Sequence, residues 1–284
     1  MSAPHRRPIR IAISLVAAAA LSLGLAGTAG AQPPKDRVKP DREAASRGVE
    51  AGNAPMGWKH ASMDKAALAP SQNSTLAVPS GPLGIDVASY QGHLDWPDWY
   101  RAGKRFAYVK ATEGTSYRNP YFSSQYTGSY KAGLIRGAYH FANPSGASGA
   151  AQARYFVKYG GGWSKDGKTL PGVLDIEYNP YGADCYGVSK TQMVSWISDF
   201  LRTYKSLTGR DAVIYTTTDW WTKCTGNTTK FRYTNPLFVA RYASTVGTLP
   251  GGWPYYTFWQ YSSDPIDQDV FSSTMTQLRK LATG

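Results

Sequence analysis

Apolar and polar residues between positions 81 and 284 follow two periods, the alternation of β-strands and the three-to-four-residue spacing of amphipathic helices. Short apolar runs predict strands at 83–88, 106–112, 135–141, 171–180, 212–217, 237–242, 256–261 and 268–271. Helical spacing predicts helices at 96–102, 119–132, 148–159 and 190–207. Because strands that alternate with helices form parallel sheets, we predict an α/β fold, a (β/α)-type barrel of about five βα units followed by three strands with shorter connections. An open doubly wound sheet is the alternative.

The stretch 171–180 is unusual because it places two acids among aliphatic side chains, between Gly and Pro residues that close both ends. Residues two apart on a strand point to the same side and are separated by roughly 6.7 Å, so Asp175 and Glu177 are expected to face the same space. Two carboxylates in an apolar setting cannot both ionise freely, so one pKa should rise, as a general acid requires. The alternative is a structural role in salt bridges at a strand end.

Polar residues stand at or near the C-terminal ends of several predicted strands, where barrels of this class carry their chemistry. They are Asp86, Glu113, His140, Asp175, Glu177 and Tyr215. We expect them to share one cleft. Because the acids can supply both catalytic roles, His140 is expected to be a hydrogen-bonded residue of the cleft wall and not a catalyst. Glu113 either contacts substrate or pairs with Lys110 or Arg118.

Residues 1–31 have the pattern of a secretory signal peptide: three arginines, an Ala- and Leu-rich apolar run, and small residues before Gln32. We therefore expect a secreted, extracellular protein, with a retained membrane anchor as the alternative. Residues 32–80 are rich in Pro, Ala and Ser and show no sustained period, which indicates a flexible linker or a pro-segment; 63–68 are compatible with a short helix. Residues 81–284 are long enough for one domain with a complete core.

The formal charge of +12, from 31 Lys and Arg against 19 Asp and Glu, suits an anionic polymer outside the cell, although a solvated basic surface explains it equally well. Nine Trp and 20 Tyr suit stacking on sugar rings as well as core packing. The chain lacks a Gly-rich phosphate loop, so nucleotide binding is disfavoured. We expect no cofactor, no metal, no nucleic-acid partner, no membrane association once the signal is removed, and a monomer.

The two cysteines, Cys185 and Cys224, are an even number in a protein expected to be exported, so a disulfide between them is predicted. It would restrain the region that follows the acidic strand. Two free thiols are the alternative.

Several ordered motifs resemble glycoside hydrolase family 25, the secreted N-acetylmuramidases of the Chalaropsis lysozyme type. They are Gly84-Ile85-Asp86-Val87, Tyr90-Gln91-Gly92, Tyr108-Val109-Lys110-Ala111-Thr112-Glu113-Gly114, Gly137-Ala138-Tyr139-His140-Phe141, Leu174-Asp175-Ile176-Glu177, Trp259-Gln260-Tyr261 and Ile266-Asp267-Gln268-Asp269-Val270-Phe271. The resemblance covers essentially all of residues 81–284. It implies a flattened barrel that cleaves the β-1,4 bond between N-acetylmuramic acid and N-acetylglucosamine in peptidoglycan, whose glycan strands are then the partner.

The resemblance also implies residue roles. Glu177 is similar in position to the general acid, Asp175 to its partner and Asp86 to a third acid; Asp267 is the expected fourth acid, with Asp264 and Asp269 close by. Structural capping of turns is the alternative for Asp86 and Asp267. We expect the substrate contacts to be made by Tyr139, His140, Glu113, Tyr215 and Trp259.

A secreted muramidase is thus the leading hypothesis, and a non-catalytic protein that binds cell-wall glycan is the alternative. The retained acids favour the enzyme, because a binding module could replace Glu177 with a neutral residue at little cost. On stereochemistry, two acids that are neighbours on one strand cannot lie on opposite faces of a sugar ring. We therefore favour net retention with assistance from the acetamido group of the sugar.

Overall fold

A computed structural model describes residues 45, 54–59 and 80–284 of the chain. The predicted signal peptide at 1–31 and the short helix considered at 63–68 lie outside the described residues. None of the helices in the described part of the chain is long and apolar enough to cross a membrane.

Nine strands lie within residues 80–284: β1 (Leu83–Val87), β2 (Lys104–Glu113), β3 (Tyr117–Arg118), β4 (Ile135–Phe141), β5 (Val173–Asp175), β6 (Val213–Thr216), β7 (Leu237–Ala240), β8 (Phe258–Ser262) and β9 (Gln268–Phe271). The α-helices of the same region are α1 (Trp96–Arg101), α2 (Phe122–Lys131), α3 (Gly149–Phe156), α4 (Lys190–Thr208), α5 (Thr218–Thr225) and α6 (Met275–Thr283). Every predicted strand and helix of residues 81–284 is present, with ends shifted by a few residues.

The sheet closes into a barrel. Its strand order is β1-β9-β8-β7-β6-β5-β4-β2, and β1 also pairs with β2, so the first strand has a neighbour on each side. Neighbouring barrel strands are parallel except at β9, which runs antiparallel to both β8 and β1. The short strand β3 pairs with the end of β2 and stands outside the eight-stranded ring. The predicted barrel of five βα units and three further strands is confirmed, and the open sheet is excluded.

Helices α5 and α6 were not predicted. Helix α5 follows β6 and consists mainly of Thr and Trp, which are moderate helix formers, but its N-cap Thr217 accepts the Trp220 N–H, and both of its tryptophans are buried. Helix α6 begins at another threonine cap, Thr274, and buries Leu278 and Ala282. In both helices tertiary packing and a cap outweigh the weak local propensity.

Two apolar layers decide which side chains can reach the mouth of the barrel. The inner layer contains residues of β2, β4, β5, β6, β7, β8 and β9 together with Leu278 and Ala282 of α6, so it fills the barrel. The outer layer packs the sheet against α3, α4 and α5 and, in a separate cluster, against α1 and α2. Because side chains alternate along each strand, adjacent residues belong to different layers, and only one of each pair can face the interior.

The predicted disulfide between Cys185 and Cys224 is present and joins the loop after β5 to helix α5, with the two Cα atoms 5.3 Å apart. It holds the segment that follows the acidic strand. Beside it, Asp184 forms ion pairs with Lys223 at 2.6 Å and with Lys59 at 2.9 Å. The loop is therefore fixed by a covalent bond and by charge pairs at the same point.

Reduction of this disulfide should lower the free energy of unfolding by about 3 kcal/mol, because the bond closes a loop with a sequence separation of 39 residues. The measurement is urea unfolding with and without reductant. The double variant Cys185→Ser/Cys224→Ser is the control and should not respond to reductant. Two thiols open to alkylation in the untreated protein would contradict the prediction.

Candidate active site

Four carboxyl groups meet at the C-terminal mouth of the barrel. Asp86 lies near the end of β1, Asp175 ends β5, Glu177 follows two residues later, and Asp267 directly precedes β9. Because β9 is antiparallel to its neighbours, its start lies at the same mouth as the ends of the other strands. All four side chains are buried. Strands that are far apart in the sequence thus bring their acids to one place.

Burial dominates the protonation of the pair on the acidic segment. It raises the pKa of Glu177 to about 8, an effect that the backbone N–H of Gly57 opposes and the nearby Asp86 reinforces. Burial also raises the pKa of Asp175 well above its usual value, and the charge of Glu177 adds to that rise. Neither carboxyl oxygen of Asp175 has a hydrogen-bond partner within the described part of the chain. Glu177 therefore stays protonated near neutral pH, as a proton donor must.

The segment containing these two acids differs from the prediction in one respect. Strand β5 ends at Asp175, and its regular pairing covers only Val173 to Asp175 on both sides. Glu177 lies beyond the strand, although the backbone N–H of Ile176 still bonds to the Tyr215 carbonyl at 3.0 Å. The position of Glu177 is consequently set by the loop that the disulfide holds as well as by the sheet.

Asp86 is oriented by Gln260, a residue to which no role was assigned from the sequence. The Gln260 Nε2 donates to Asp86 Oδ2 at 2.7 Å, while its Oε1 accepts from the hydroxyls of Tyr215 at 2.7 Å and Tyr242 at 3.1 Å. These contacts fix which way the amide points. Burial raises the pKa of Asp86 to about 7, and the Gln260 amide partly offsets that rise. Tyr215, a predicted site residue, is thus linked to Asp86 through the side chain of Gln260.

Three acids near β9 were considered from the sequence, and the structure separates them. Asp267 lies at the mouth, 3.4 Å from the Tyr242 hydroxyl, and burial raises its pKa, as do Asp86, Asp269 and Glu177. Asp269 lies deeper, paired in register with Gly84 and Gln260, and its charged neighbours are Asp86 and Lys104. Asp264 is exposed. Of the three, Asp267 is the acid that stands with Glu177.

A buried ion pair joins Lys110 to Glu113, with 2.6 Å between Nζ and Oε2. Burial lowers the pKa of Lys110, and Glu113 partly restores it. The lysine in turn favours the ionised forms of Asp175 and Glu177 and so lowers the pKa of both. Glu113 also accepts a hydrogen bond from the hydroxyl of Tyr181. The Glu113–Lys110 pair, one of the two alternatives predicted from the sequence, is therefore present, and it lies within the cluster of acids.

Of the predicted substrate contacts, Tyr139, Tyr215 and Glu113 reach the mouth, whereas His140 points elsewhere. Tyr139 belongs to the inner layer, and the next residue therefore faces the outer helices. His140 stacks on Phe200 at 5.4 Å, accepts from the Thr112 hydroxyl at 2.8 Å and donates to Gln152 Oε1 at 3.0 Å. Burial lowers the pKa of His140 to about 3, so the ring is neutral. This placement does not suit the expected substrate contact.

The side chain of Trp259, like that of His140, faces the outer layer. Its neighbour Phe258 fills the inner layer, and the indole belongs to the outer layer, where it packs against Tyr256 and Tyr261. Its Nε1 donates to the carbonyl of Arg241 at 2.8 Å. Strand alternation thus directs Trp259 to the side opposite Gln260 and Asp86, and its role as a substrate contact stays a prediction.

The described residues 54–59 lie against this site. The backbone N–H of Gly57 donates to Glu177 Oε1 at 2.6 Å, and the N–H of Ala54 donates to Glu113 Oε2 at 3.0 Å. From the sequence, these residues were predicted only to be part of a linker or pro-segment. Their lack of hydrophobic periodicity gave no signal of the contact.

No group of three or more His, Cys, Asp and Glu side chains is arranged to hold a metal ion among the residues that the structure describes. The four acids at the mouth are instead buried and proton-rich. The arrangement can donate a proton from Glu177 and place negative charge from its neighbours against a developing cation.

Comparison with known proteins gives a consistent result. The sequence profile of the glycosyl hydrolases family 25 matches residues 85–270. Lysozyme M1 of Streptomyces globisporus is 45% identical over 291 residues, which cover 98% of this chain and 95% of the relative. The N,O-diacetylmuramidase of a Chalaropsis species is 50% identical over 208 residues, covering 71% of this chain and 99% of the relative.

Solved structures agree with these relatives. The muramidase from Acremonium alcalophilum has 57% sequence identity and a TM-score of 0.71, over 72% of this chain and 99% of its own. The bacterial lysozyme from Streptomyces coelicolor has 50% identity and a TM-score of 0.71 over the same shares, 72% and 99%.

The raised pKa of Glu177 predicts a stability cost that depends on pH. Below about 4.5 folded and unfolded chains both hold the proton; as pH rises to about 8 only the folded chain keeps it, so stability falls across this window. Glu177→Gln should therefore raise the Tm at pH 8.5, by about 2–4 °C per kcal/mol relieved, and change it little at pH 4.

The control for this measurement is Asp98→Asn, whose carboxylate is 62% exposed. The Tm difference between Asp98→Asn and the wild type should not increase from pH 4 to pH 8.5. Equal shifts for Glu177→Gln at both pH values would contradict the assignment of a raised pKa.

Proposed function

The chain belongs to glycoside hydrolase family 25 and is a lysozyme that hydrolyses peptidoglycan; we propose that it cleaves the β-1,4 bond between N-acetylmuramic acid and N-acetylglucosamine with Glu177 as general acid. The observation that carries the proposal is the buried Glu177 carboxyl, whose pKa is raised to about 8 at a mouth lined by other acids. A proton held near neutral pH is what the departing sugar oxygen requires.

In the proposed first step, Glu177 transfers its proton to the glycosidic oxygen as the bond between that oxygen and the anomeric carbon breaks. Positive charge then develops on the anomeric carbon and the ring oxygen. Before the second step, the acetamido oxygen of the same sugar is bonded to the anomeric carbon; a water molecule then attacks this carbon and displaces that oxygen, while the Glu177 carboxylate takes a proton from the water. The acid is thereby restored, and one water molecule is consumed for each bond broken.

Asp175 is proposed to assist from the same side as Glu177. Only one residue separates them, so Asp175 does not lie across the sugar ring, and it is better placed to orient the acetamido group, whose oxygen attacks the anomeric carbon. Asp86 and Asp267 come from other strands and are proposed to stabilise the developing positive charge. This set supports net retention through the sugar's own acetamido group.

Tyr139, Tyr215 and Glu113 are the proposed substrate contacts, because they lie at the mouth with the acids. We further propose that residues 1–31 direct secretion, that 32–80 form a separate segment ahead of the catalytic domain at 81–284, and that the enzyme acts as an extracellular monomer on the glycan strands of cell walls. The alternative of a binding protein without activity is not favoured, because relatives of similar sequence are named as lysozyme and muramidase.

Glu177→Gln should lower the rate of wall hydrolysis by roughly 10² to 10⁴-fold, because the amide keeps the shape of the side chain but cannot donate the proton as an acid. The measurement is the turbidity loss of purified cell walls with wild-type and variant protein prepared in parallel. Asp98→Asn is the control and should keep the wild-type rate. Unchanged hydrolysis by Glu177→Gln would reject its role as the acid.

Retention predicts that the newly formed muramic acid end appears first as the β-anomer, since two inversions at one carbon restore the original configuration. Proton NMR at early times, before the anomers equilibrate, distinguishes the two products. An initial α-anomer would show inversion and exclude assistance by the acetamido group.

A further inference from the structure

The segment of residues 54–59 is bound through its backbone to the side chains of the proposed site. Ala54 pairs at both of its backbone groups: its N–H donates to Glu113 Oε2 at 3.0 Å, and its carbonyl accepts from Lys110 Nζ. The N–H of Met56 donates to the Tyr139 hydroxyl at 3.3 Å, and the N–H of Gly57 donates to Glu177 Oε1 at 2.6 Å. The polar groups that are proposed to meet the glycan are thus engaged by peptide.

The side chains of the segment are buried as deeply as those of the domain core. Ala54, Met56 and Trp58 are 0%, 1% and 4% exposed. Met56 joins the inner apolar layer of the barrel, and the Trp58 indole N–H donates to the Tyr178 carbonyl at 2.9 Å. Lys59 forms an ion pair with Asp184 beside the disulfide. Burial of two large apolar side chains favours the bound arrangement strongly over an exposed one.

Gly57 shows how completely the segment fills the space. Its φ of +75° is one that residues with a side chain rarely adopt. A Cβ built there would lie 2.6 Å from the Tyr242 hydroxyl, 2.7 Å from Gln260 Oε1 and 3.0 Å from the Tyr215 hydroxyl. A methyl group does not fit between the segment and the residues that orient Asp86. A sugar ring is much larger and cannot share this space.

We propose that residues 54–59 are an internal inhibitor that occupies the glycan cleft of the same chain, so that the barrel with this segment attached is a latent form of the enzyme. The proposal rests on the proposed function, since it takes Glu177, Glu113 and Tyr139 to be the residues that meet substrate. It identifies the cleft's occupant in this structure as the chain's own residues.

The contact on Glu177 opposes catalysis in two ways. The segment excludes the glycan, and it also engages the carboxyl oxygen as an acceptor, whereas the general acid must donate a proton. The backbone N–H on that oxygen also stabilises the ionised carboxylate and so partly opposes the rise in the Glu177 pKa that burial causes. Removal of the segment frees the cleft and takes this N–H away from Glu177.

The solved relatives are consistent with a barrel that does not need the segment to fold. The muramidase from Acremonium alcalophilum and the lysozyme from Streptomyces coelicolor align over 99% of their own chains with 72% of this one. Tethering to the barrel gives the segment a high effective concentration at the cleft, which a detached peptide loses on dilution. Detachment is therefore sufficient to release the site.

The test compares full-length chains that differ at one glycine. Gly57→Leu places a side chain against Tyr242, Gln260 and Tyr215 and should expel the segment. Gly103→Leu is the matched control, because Gly103 also has a positive φ, +94°, but its added Cβ meets nothing within 4 Å. Gly57→Leu should hydrolyse purified walls on the order of 10-fold or more faster than the wild type, and Gly103→Leu should match the wild type.

Cleavage of the wild-type chain at a protease site inserted ahead of Ser80 should give the same rise in the rate of wall hydrolysis.

A binding measurement separates failure of this proposal from failure of the proposed function. In the Glu177→Gln background, calorimetry with a soluble tetrasaccharide of alternating N-acetylglucosamine and N-acetylmuramic acid should show binding at least 10-fold tighter when Gly57→Leu is also present. Equal affinity with and without Gly57→Leu would overturn the inhibitor. Tighter binding without wall hydrolysis in any form carrying Glu177 would support the inhibitor and reject the proposed catalysis.

Discussion

The burial of several acids at one mouth of the barrel is the constraint on which the rest of this site depends. Asp86, Asp175, Glu177 and Asp267 have little access to water. The charge of the buried Lys110 acts on both Asp175 and Glu177, and the charge of Lys59 acts on Glu177 as well. Because isolated buried charges are very costly, the acids respond by keeping protons. The fold therefore gives up stability at neutral pH and gains a carboxylic acid that can protonate a leaving group. Gln260, Tyr215 and Tyr242 hold the arrangement in place.

The sequence predicted the barrel well because its strands are separated by clear helical or turn segments, and the acidic segment was identifiable because Asp175 and Glu177 interrupt an aliphatic run. It did not predict which of two adjacent strand residues faces the interior. Strand β4 is buried on both faces, so Tyr139 and His140 show no contrast in polarity that would assign them. Strand β8 likewise shows no contrast between Phe258 and Trp259, which are both buried.

Other features required tertiary information. Lys110 lies in a run that predicts an ordinary strand, and its importance comes from its ion pair with Glu113, three residues later on the same strand. The segment 54–59 has no helical or strand period, because it binds through backbone N–H groups and two isolated apolar side chains. Sequence analysis detects apolar residues that recur with a regular period. A short peptide that crosses a cleft once has no such period. Helix α5 was missed because Thr and Trp are weak local signals.

Strand β9 pairs with β1, so the last strand of the barrel closes the ring against its first strand. During synthesis from the N-terminus, the ring therefore cannot close until β9 has emerged, after all the other strands of the barrel. Helix α6, which follows β9, then covers the end of the inner layer with Leu278 and Ala282. Loss of α6 would therefore uncover that end of the inner layer, even if every strand of the barrel remained in place.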